Sequence, residues 1–418
     1  MHVNQSEQCC LACGSQDLAE ALDLGKQALA NNLEDHVNLN PTTHELRLNY
    51  CAHCGHAQQA CFVPPEKLFL HYLYASGTSK TLENYFLWFS GECKKIKPAG
   101  AKVLEIASND GSLMVFLRAA GFAVIGVDPA KNLAHIASER GLTTICDFWP
   151  TPQLAPDKKF DLIIGQNVLA HTPDPLHFLS TVAATLEDDG VCVLQTSQAR
   201  MLENGEFDTI YHEHYSFFSI DSMAQLAQRA GLRLRAIRRV AIHGDSFVFV
   251  LGKPGEKWAD EGRSVDWFTT APFHIDTPDW SSQTSEQAHA AAFRTFRTRA
   301  TQRMNRVTDI LAQHKMRGRQ ICFVGAAAKA VVFMNAAQIE PDIIFDEATL
   351  KIGKFIPGFR TPIRSLEEIA SLTQACLFVI SAWNFRLEIE AKIRALLTFD
   401  DAVFLHYFPD ILEAPCAP

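Results

Sequence analysis

No apolar run in the 418 residues reaches the roughly 20 that a helix needs to cross a bilayer. The opening MHVNQSEQCC has no basic stretch leading into an apolar one, so a secretory leader is not expected. Basic residues are scarce: 38 Lys and Arg stand against 47 Asp and Glu, a net charge of −9. Nucleic acid and anionic membrane surfaces draw proteins with a basic face, so neither is an expected partner. The chain therefore reads as cytoplasmic. Disulfides do not persist there, and the 12 cysteines need another explanation. What remains is an ordinary globular composition, 47% apolar and 20% charged, at a length that calls for two or three cores rather than one.

Six of the cysteines lie in the first 61 residues. Cys10-x-x-Cys13 and Cys51-x-x-Cys54 form two pairs, each followed by a glycine, Gly14 or Gly55. The glycine lets the loop fold back so that both thiolates of a pair face one ion, and two pairs complete a tetrahedral zinc site. Four thiolates leave no open coordination position, so the reading is structural zinc, with Cys9 able to stand in for Cys10. A redox CxxC is the plainer alternative. Zinc ribbons often bind nucleic acid, but Lys26, Arg47 and Lys67 are too scattered to make a basic patch.

The densest chemistry lies in Glu206 to Ser219, EFDTIYHEHYSFFS. Four consecutive positions carry a phenol (Tyr211), two imidazoles (His212, His214) and a carboxylate (Glu213). An extended segment would put Tyr211 and Glu213 on one face and the histidines on the other. A tight turn would instead bring Tyr211 to His214. In either arrangement a histidine beside a phenol and a carboxylate is a workable acid/base group at neutral pH. The bland reading is a strand end with rim histidines.

Two α/β units flank this stretch. In the first, the strand KVLEI (102–106) runs into the loop ASNDGS, a helix follows, and a second strand ends in Asp128. This is a doubly wound pattern in which loop and helix N-terminus approach an adenosine-type ligand and Asp128 accepts ribose hydroxyls. Glu105 before the loop, with no GxGxxG, favours S-adenosylmethionine over a dinucleotide. Asn167 and His171 follow the strand FDLIIG, at a carboxyl edge. Later come His243-Gly-Asp-Ser, then a Trp/Pro/Ser/Asp-rich stretch without periodicity, then a long amphipathic helix (286–316) suited to a strut. The second unit opens with ICFVGAAAKA, where Lys329 in the first helical turn makes a phosphate seat. Its next strands end at Asp346 and at Trp383 and Asn384. The expected divisions are a zinc module (1–67), a methyltransferase domain (68–253), a linker with the long helix (254–318) and a nucleotide- or substrate-binding domain (319–418).

Eight ordered segments carry a resemblance over nearly the whole chain: the four-cysteine module, YLYASGTSKT, EIASNDGS with GVDPAKN, QNVLAH, FDTIYHEHYSFFS, GAAAK, IGKFIPGFRTPI and SAWN. The chain resembles the deoxysugar C-methyltransferases, which act on nucleotide-linked keto-sugars. The resemblance implies a Rossmann-like class I methyltransferase domain between a zinc-binding module and a C-terminal Rossmann-like domain. It implies His214 as the base that removes a proton α to a ketone, with Tyr211 and Glu213 as partners and Tyr74 and His171 lining the same cleft. Glu105, Ala107, Asn109, Asp128, Asn167 and Tyr72 are the implied cofactor residues. His243, Asp245, Lys329, Asp346, Trp383 and Asn384 are the implied substrate residues, Lys329 and the turn before it holding the diphosphate. The chain departs from the family at Gln195, commonly glutamate, and in HGDSFV, where Asp245 replaces a glycine and Val248 a basic residue. Both changes in HGDSFV are expected where the substrate lies, so a departure in the sugar or in the substrate class is expected, an amino group or a different ring hydroxyl pattern being compatible with Asp245. The implied partner is a nucleotide-linked sugar, bound by a monomer or a homodimer. An O- or N-methyltransferase is the nearest alternative; an RNA methyltransferase and a nicotinamide-dependent epimerase are more distant ones.

Overall fold

A computed structural model describes residues 9–70, 77, 79–154, 157–255 and 266–416. Tyr72 and Tyr74 lie outside the described residues. The central sheet has eight strands, in the order His274–Asp276, Arg233–Val240, Ser246–Gly252, Leu186–Ser197, Phe160–Gln166, Lys102–Ile106, Ala123–Val127 and Thr144–Ile145. The last five in that order are parallel, and the first three join antiparallel. Their apolar runs follow from burial on both faces. Val103, Leu162, Ile164 and Val193 pack under the helices Lys80–Ile96 and Ser112–Ala119. Their neighbours Leu104, Ile163 and Leu194 point the other way, under Pro175–Thr185 and Ile220–Arg229. Chain order reverses between Lys102–Ile106 and Phe160–Gln166, which opens a crevice at their carboxyl ends.

The second sheet repeats the plan with six strands: Ile363–Ser365, Ile343–Asp346, Gln320–Val324, Cys376–Ile380, Ala402–His406 and Leu412–Pro415. All pair in parallel except the last. Its reversal lies between Gln320–Val324 and Cys376–Ile380, so the turns after those two strands form the second crevice.

The N-terminal sheet orders Leu18–Gln27, His44–Cys51, Ala57–Gln59 and Ser216–Phe217. Its fourth strand comes from the Tyr-His-Glu-His stretch, about 160 residues away in sequence, through the pairs Ala57↔Phe217 and Gln58↔Ser216. The helix Glu286–Met316 starts at Ser285, whose side chain accepts from the Ala288 amide, and buries Phe293, Phe296, Ala300 and Val307 along one stripe. It meets all three sheets' surroundings. Arg297 donates to the Ala21 carbonyl at 2.7 Å, and Arg303 donates to the carbonyls of Asn204 at 3.1 Å and Pro409 at 2.6 Å. The stretch before it, expected as a linker or insertion, supplies the edge strand His274–Asp276, where Asp276 takes the Arg239 guanidinium from the neighbouring strand.

Candidate active site

Both crevices open into one cavity of about 1080 Å³. On the first side, Ala107 and Asn109 adopt left-handed backbone (φ 58° and 52°), which turns the loop sharply after the strand. Asp128 holds that shape: its Oδ2 accepts from the Asn109 amide at 2.8 Å and its Oδ1 from the Ala130 amide at 2.9 Å. Burial still pushes the Asp128 carboxyl up to about 6. Asn167, also left-handed, accepts the Ser197 amide at 2.9 Å. Glu105 is the informative residue. It is 4% exposed, its Oε2 has no partner among the described residues, and burial raises its pKa well above the carboxylate range. A buried carboxylate oxygen facing a ligand crevice calls for a donor or cation from the ligand, which an aminoacyl-sulfonium nucleoside supplies.

The proton-handling stretch forms a turn, not a strand. The His214 amide donates to the Tyr211 carbonyl at 2.8 Å, and the side chains meet with Tyr211 Oη 2.9 Å from His214 Nε2. His214 Nδ1 lies 2.8 Å from the Thr209 carbonyl and 3.0 Å from Gln198 Nε2; the carbonyl can only accept, so it favours the tautomer with the proton on Nδ1 and Nε2 accepting from the phenol. Burial depresses the His214 pKa well below its usual 6.5; a proton on His171 and the Lys329 charge both act in the same direction, and the Thr209 hydrogen bond opposes them. His171 stands edge-on with ring centroids 4.8 Å apart, and burial brings it to about 4. Glu213 turns away from the cavity and accepts from Asn31 Nδ2 at 2.6 Å. His212 points to the His44 carbonyl, on the far side of the turn.

The turn is pinned by residues that the motif does not contain. Gln59 Nε2 donates to the carbonyls of Tyr211 at 2.6 Å and His214 at 3.1 Å, and Ser219 Oγ donates to the Cys54 carbonyl at 2.8 Å. No local signal marks Gln59, since its role arises only when the strands pair. Below it, the thiols of Cys10, Cys13, Cys51 and Cys54 lie within 4.8 Å of one another, with Cys10 to Cys54 and Cys13 to Cys51 both at 3.6 Å. A Zn–S bond of about 2.3 Å sets a tetrahedral edge near 3.8 Å, so the four sulfurs fit zinc.

On the second side, Asp346 Oδ2 accepts from the Ala326 amide at 2.8 Å and lies 3.1 Å from Lys351 Nζ. It therefore shapes the Gly325–Ala328 turn from the cavity wall. Lys329 and Asn384 also line the cavity, and Trp383 packs behind it, donating Nε1 to Asp208 at 2.9 Å. His243 lines the cavity from a segment with three successive left-handed residues, His243, Gly244 and Asp245 (φ 55°, 81° and 73°). Asp245 does not share that position. Its Oδ2 is 2.7 Å from Arg200 Nε, off the cavity wall, because the left-handed backbone aims it outward. Val248 is fully buried in a strand, and Gln195 accepts Tyr85 Oη at 2.6 Å inside the core. The departures expected to face the sugar are thus absorbed by the scaffold.

Three family profiles match in chain order. Residues 10–69 match a zinc binding domain, residues 78–237 a methyltransferase domain, and residues 280–409 a C-methyltransferase C-terminal domain. The chain is similar to C-methyltransferase NovU of Streptomyces niveus, 29% identical over 398 residues, covering 91% of this chain and 90% of NovU. It is also similar to the ubiquinone biosynthesis O-methyltransferase of Actinobacillus pleuropneumoniae serotype 5b (strain L20), 35% identical over 107 residues, 23% of this chain and 46% of that protein. Among solved structures, the TehB-like SAM-dependent methyltransferase from Corynebacterium glutamicum ATCC 13032 is 20% identical with a TM-score of 0.32, over 40% of this chain and 86% of that one.

Proposed function

The chain belongs to the zinc-containing, S-adenosylmethionine-dependent C-methyltransferases, and from that premise we propose that its substrate is a nucleotide-linked keto-deoxysugar, methylated at the carbon next to the ketone. One observation carries the reading. A single cavity is lined by a methyltransferase loop, by the carboxyl edge of a second Rossmann-like sheet, and by a Tyr211–His214 pair between them.

In this reading Glu105, Asn109 and Asp128 hold the cofactor, which when bound supplies an electrophilic methyl group. The backbone amides of Ala327 and Ala328, at the start of the helix Ala328–Ala336, take the diphosphate. The sugar then reaches back to the pair. A carbon acid needs a base, and the neutral Nε2 of His214, linked to the Tyr211 phenol, is the acceptor placed on the cavity wall; a positioned base is worth about 10²–10⁴-fold. Methylation of oxygen or nitrogen needs no carbon-proton base, so the buried pair favours carbon.

The test is a calorimetric titration with S-adenosylhomocysteine, followed by thymidine diphosphate or guanosine diphosphate. Micromolar binding of the first together with one nucleotide is the expected result and identifies the substrate's handle. Binding of S-adenosylhomocysteine with neither nucleotide overturns the nucleotide-sugar substrate.

A further inference from the structure

The Tyr211–His214 pair accounts for the proton but leaves the carbonyl oxygen without a partner. When the carbon loses its proton, the C–H electron pair becomes a C=C bond and the carbonyl π pair moves onto oxygen. The charge that develops there needs a donor, and in a dry site such a donor is commonly the largest single contribution. His171, His214 and His243 line this part of the cavity, and burial lowers the pKa of all three, so each offers at most a neutral N–H and none brings a positive charge to the oxygen. Two lysines reach the wall among the described residues. Lys351 is committed to Asp346 at 3.1 Å and to the Ala326 carbonyl at 3.0 Å.

Lys329 is not committed. Its ammonium makes no hydrogen bond to a described residue and stands 3.9 Å above the Trp383 ring. Trp383 is itself fixed by Asp208, and Glu206 is occupied by Asn204 Nδ2 at 2.7 Å. These two acids therefore attract the cation without capping it. The Lys329 charge is also near enough to disfavour protonation of His214 and His243, which puts it on the acid/base side of the cavity.

We propose that Lys329 is a catalytic residue that donates a hydrogen bond to the enolate oxygen, rather than a clamp for the diphosphate. The proposal rests on the keto-substrate reading above. The proton leaves carbon for the Tyr211–His214 pair and later passes to solvent. Lys329 keeps its own protons throughout. When the C=C pair of the enolate takes the methyl group, the cofactor's S–CH3 pair stays with the departing thioether sulfur, the C=O bond re-forms and the charge on oxygen is gone.

Exchange of the α-proton separates this step from methyl transfer. The full-length zinc protein is placed in deuterium oxide with S-adenosylhomocysteine and, in turn, thymidine- and guanosine-diphosphate keto-deoxyhexoses, and deuterium uptake is followed by NMR. At saturating substrate, Lys329→Met is expected to lose about 10²–10³-fold in exchange rate, with nucleoside diphosphate affinity within a factor of a few of wild type. Lys329→Arg, which keeps the charge and so the fold, is expected to lose a smaller factor with the same unchanged affinity. Normal exchange in Lys329→Met overturns the proposal. So does either variant if it binds nucleoside diphosphate more than about tenfold worse yet exchanges normally once saturated, since a tenfold loss of affinity corresponds to a lost diphosphate contact. Absence of exchange in the wild-type protein with every keto-sugar removes the substrate reading itself, and the role of Lys329 with it.

Discussion

His214 is 4% exposed, with one ring nitrogen on a carbonyl and the other on a phenol. Its replacement by alanine should lower kcat/KM by about 10²–10⁴-fold while calorimetry finds S-adenosylhomocysteine bound as before. The pH profile follows from the sign of the shift. A pKa depressed by burial keeps the imidazole neutral, and so able to take a proton, as pH falls past 6.5. The acid limb of kcat/KM should therefore lie below pH 6.5; a limb above it would show that His214 is not the titrating base. Asp245 makes the opposite case. Because Arg200 and not the cavity receives it, Asp245→Asn should leave sugar and nucleotide selectivity unchanged and cost only about 1 kcal/mol in urea unfolding, as partly exposed ion pairs do. The sequence suggested an amino sugar here, since composition can register a new carboxylate but not the left-handed backbone that turns it outward.

The acid/base turn is an element whose geometry was half legible. Four adjacent residues named the chemistry, and both an extended strand and a turn were consistent with them. The choice is made by Gln59, whose amide bridges the Tyr211 and His214 carbonyls from a strand far away in sequence. Local propensity carries no trace of such a contact. Gln59→Leu keeps the volume and takes from the buried His214 carbonyl its donor, at a cost of about 1–3 kcal/mol. Turnover should fall while S-adenosylhomocysteine affinity holds, because Gln59 touches the turn and not the cofactor loop. Equal loss of both would mean that the two sites share one scaffold. The strands of the two Rossmann-like sheets were more legible, being short apolar runs between loops, buried on both faces.

Across the whole molecule, the two crevices meet where Gly244 passes Trp383. A Cβ on Gly244 would sit 2.4 Å from the indole, at a φ of 81°. Gly244→Ala should thus cost at least about 1–2 kcal/mol from backbone conformation alone. Thermal unfolding should record the loss, and KM for the sugar nucleotide should rise as the indole moves with Lys329 upon it. An unchanged KM would show that moving Trp383 behind the cavity does not disturb the sugar-nucleotide side. The meeting of crevices was visible in sequence only as two ligand edges in one chain; that they share a cavity is a matter of how the sheets are placed, which no local run of residues records.

The strand Ser216–Phe217 completes the N-terminal sheet from the middle of the chain. During synthesis the N-terminal sheet therefore lacks its last strand until about 160 further residues have been added. Gln59 must wait for the segment it will hold. Nascent chains stalled before residue 216 are the forms in which that waiting edge stays open to proteases and to other chains.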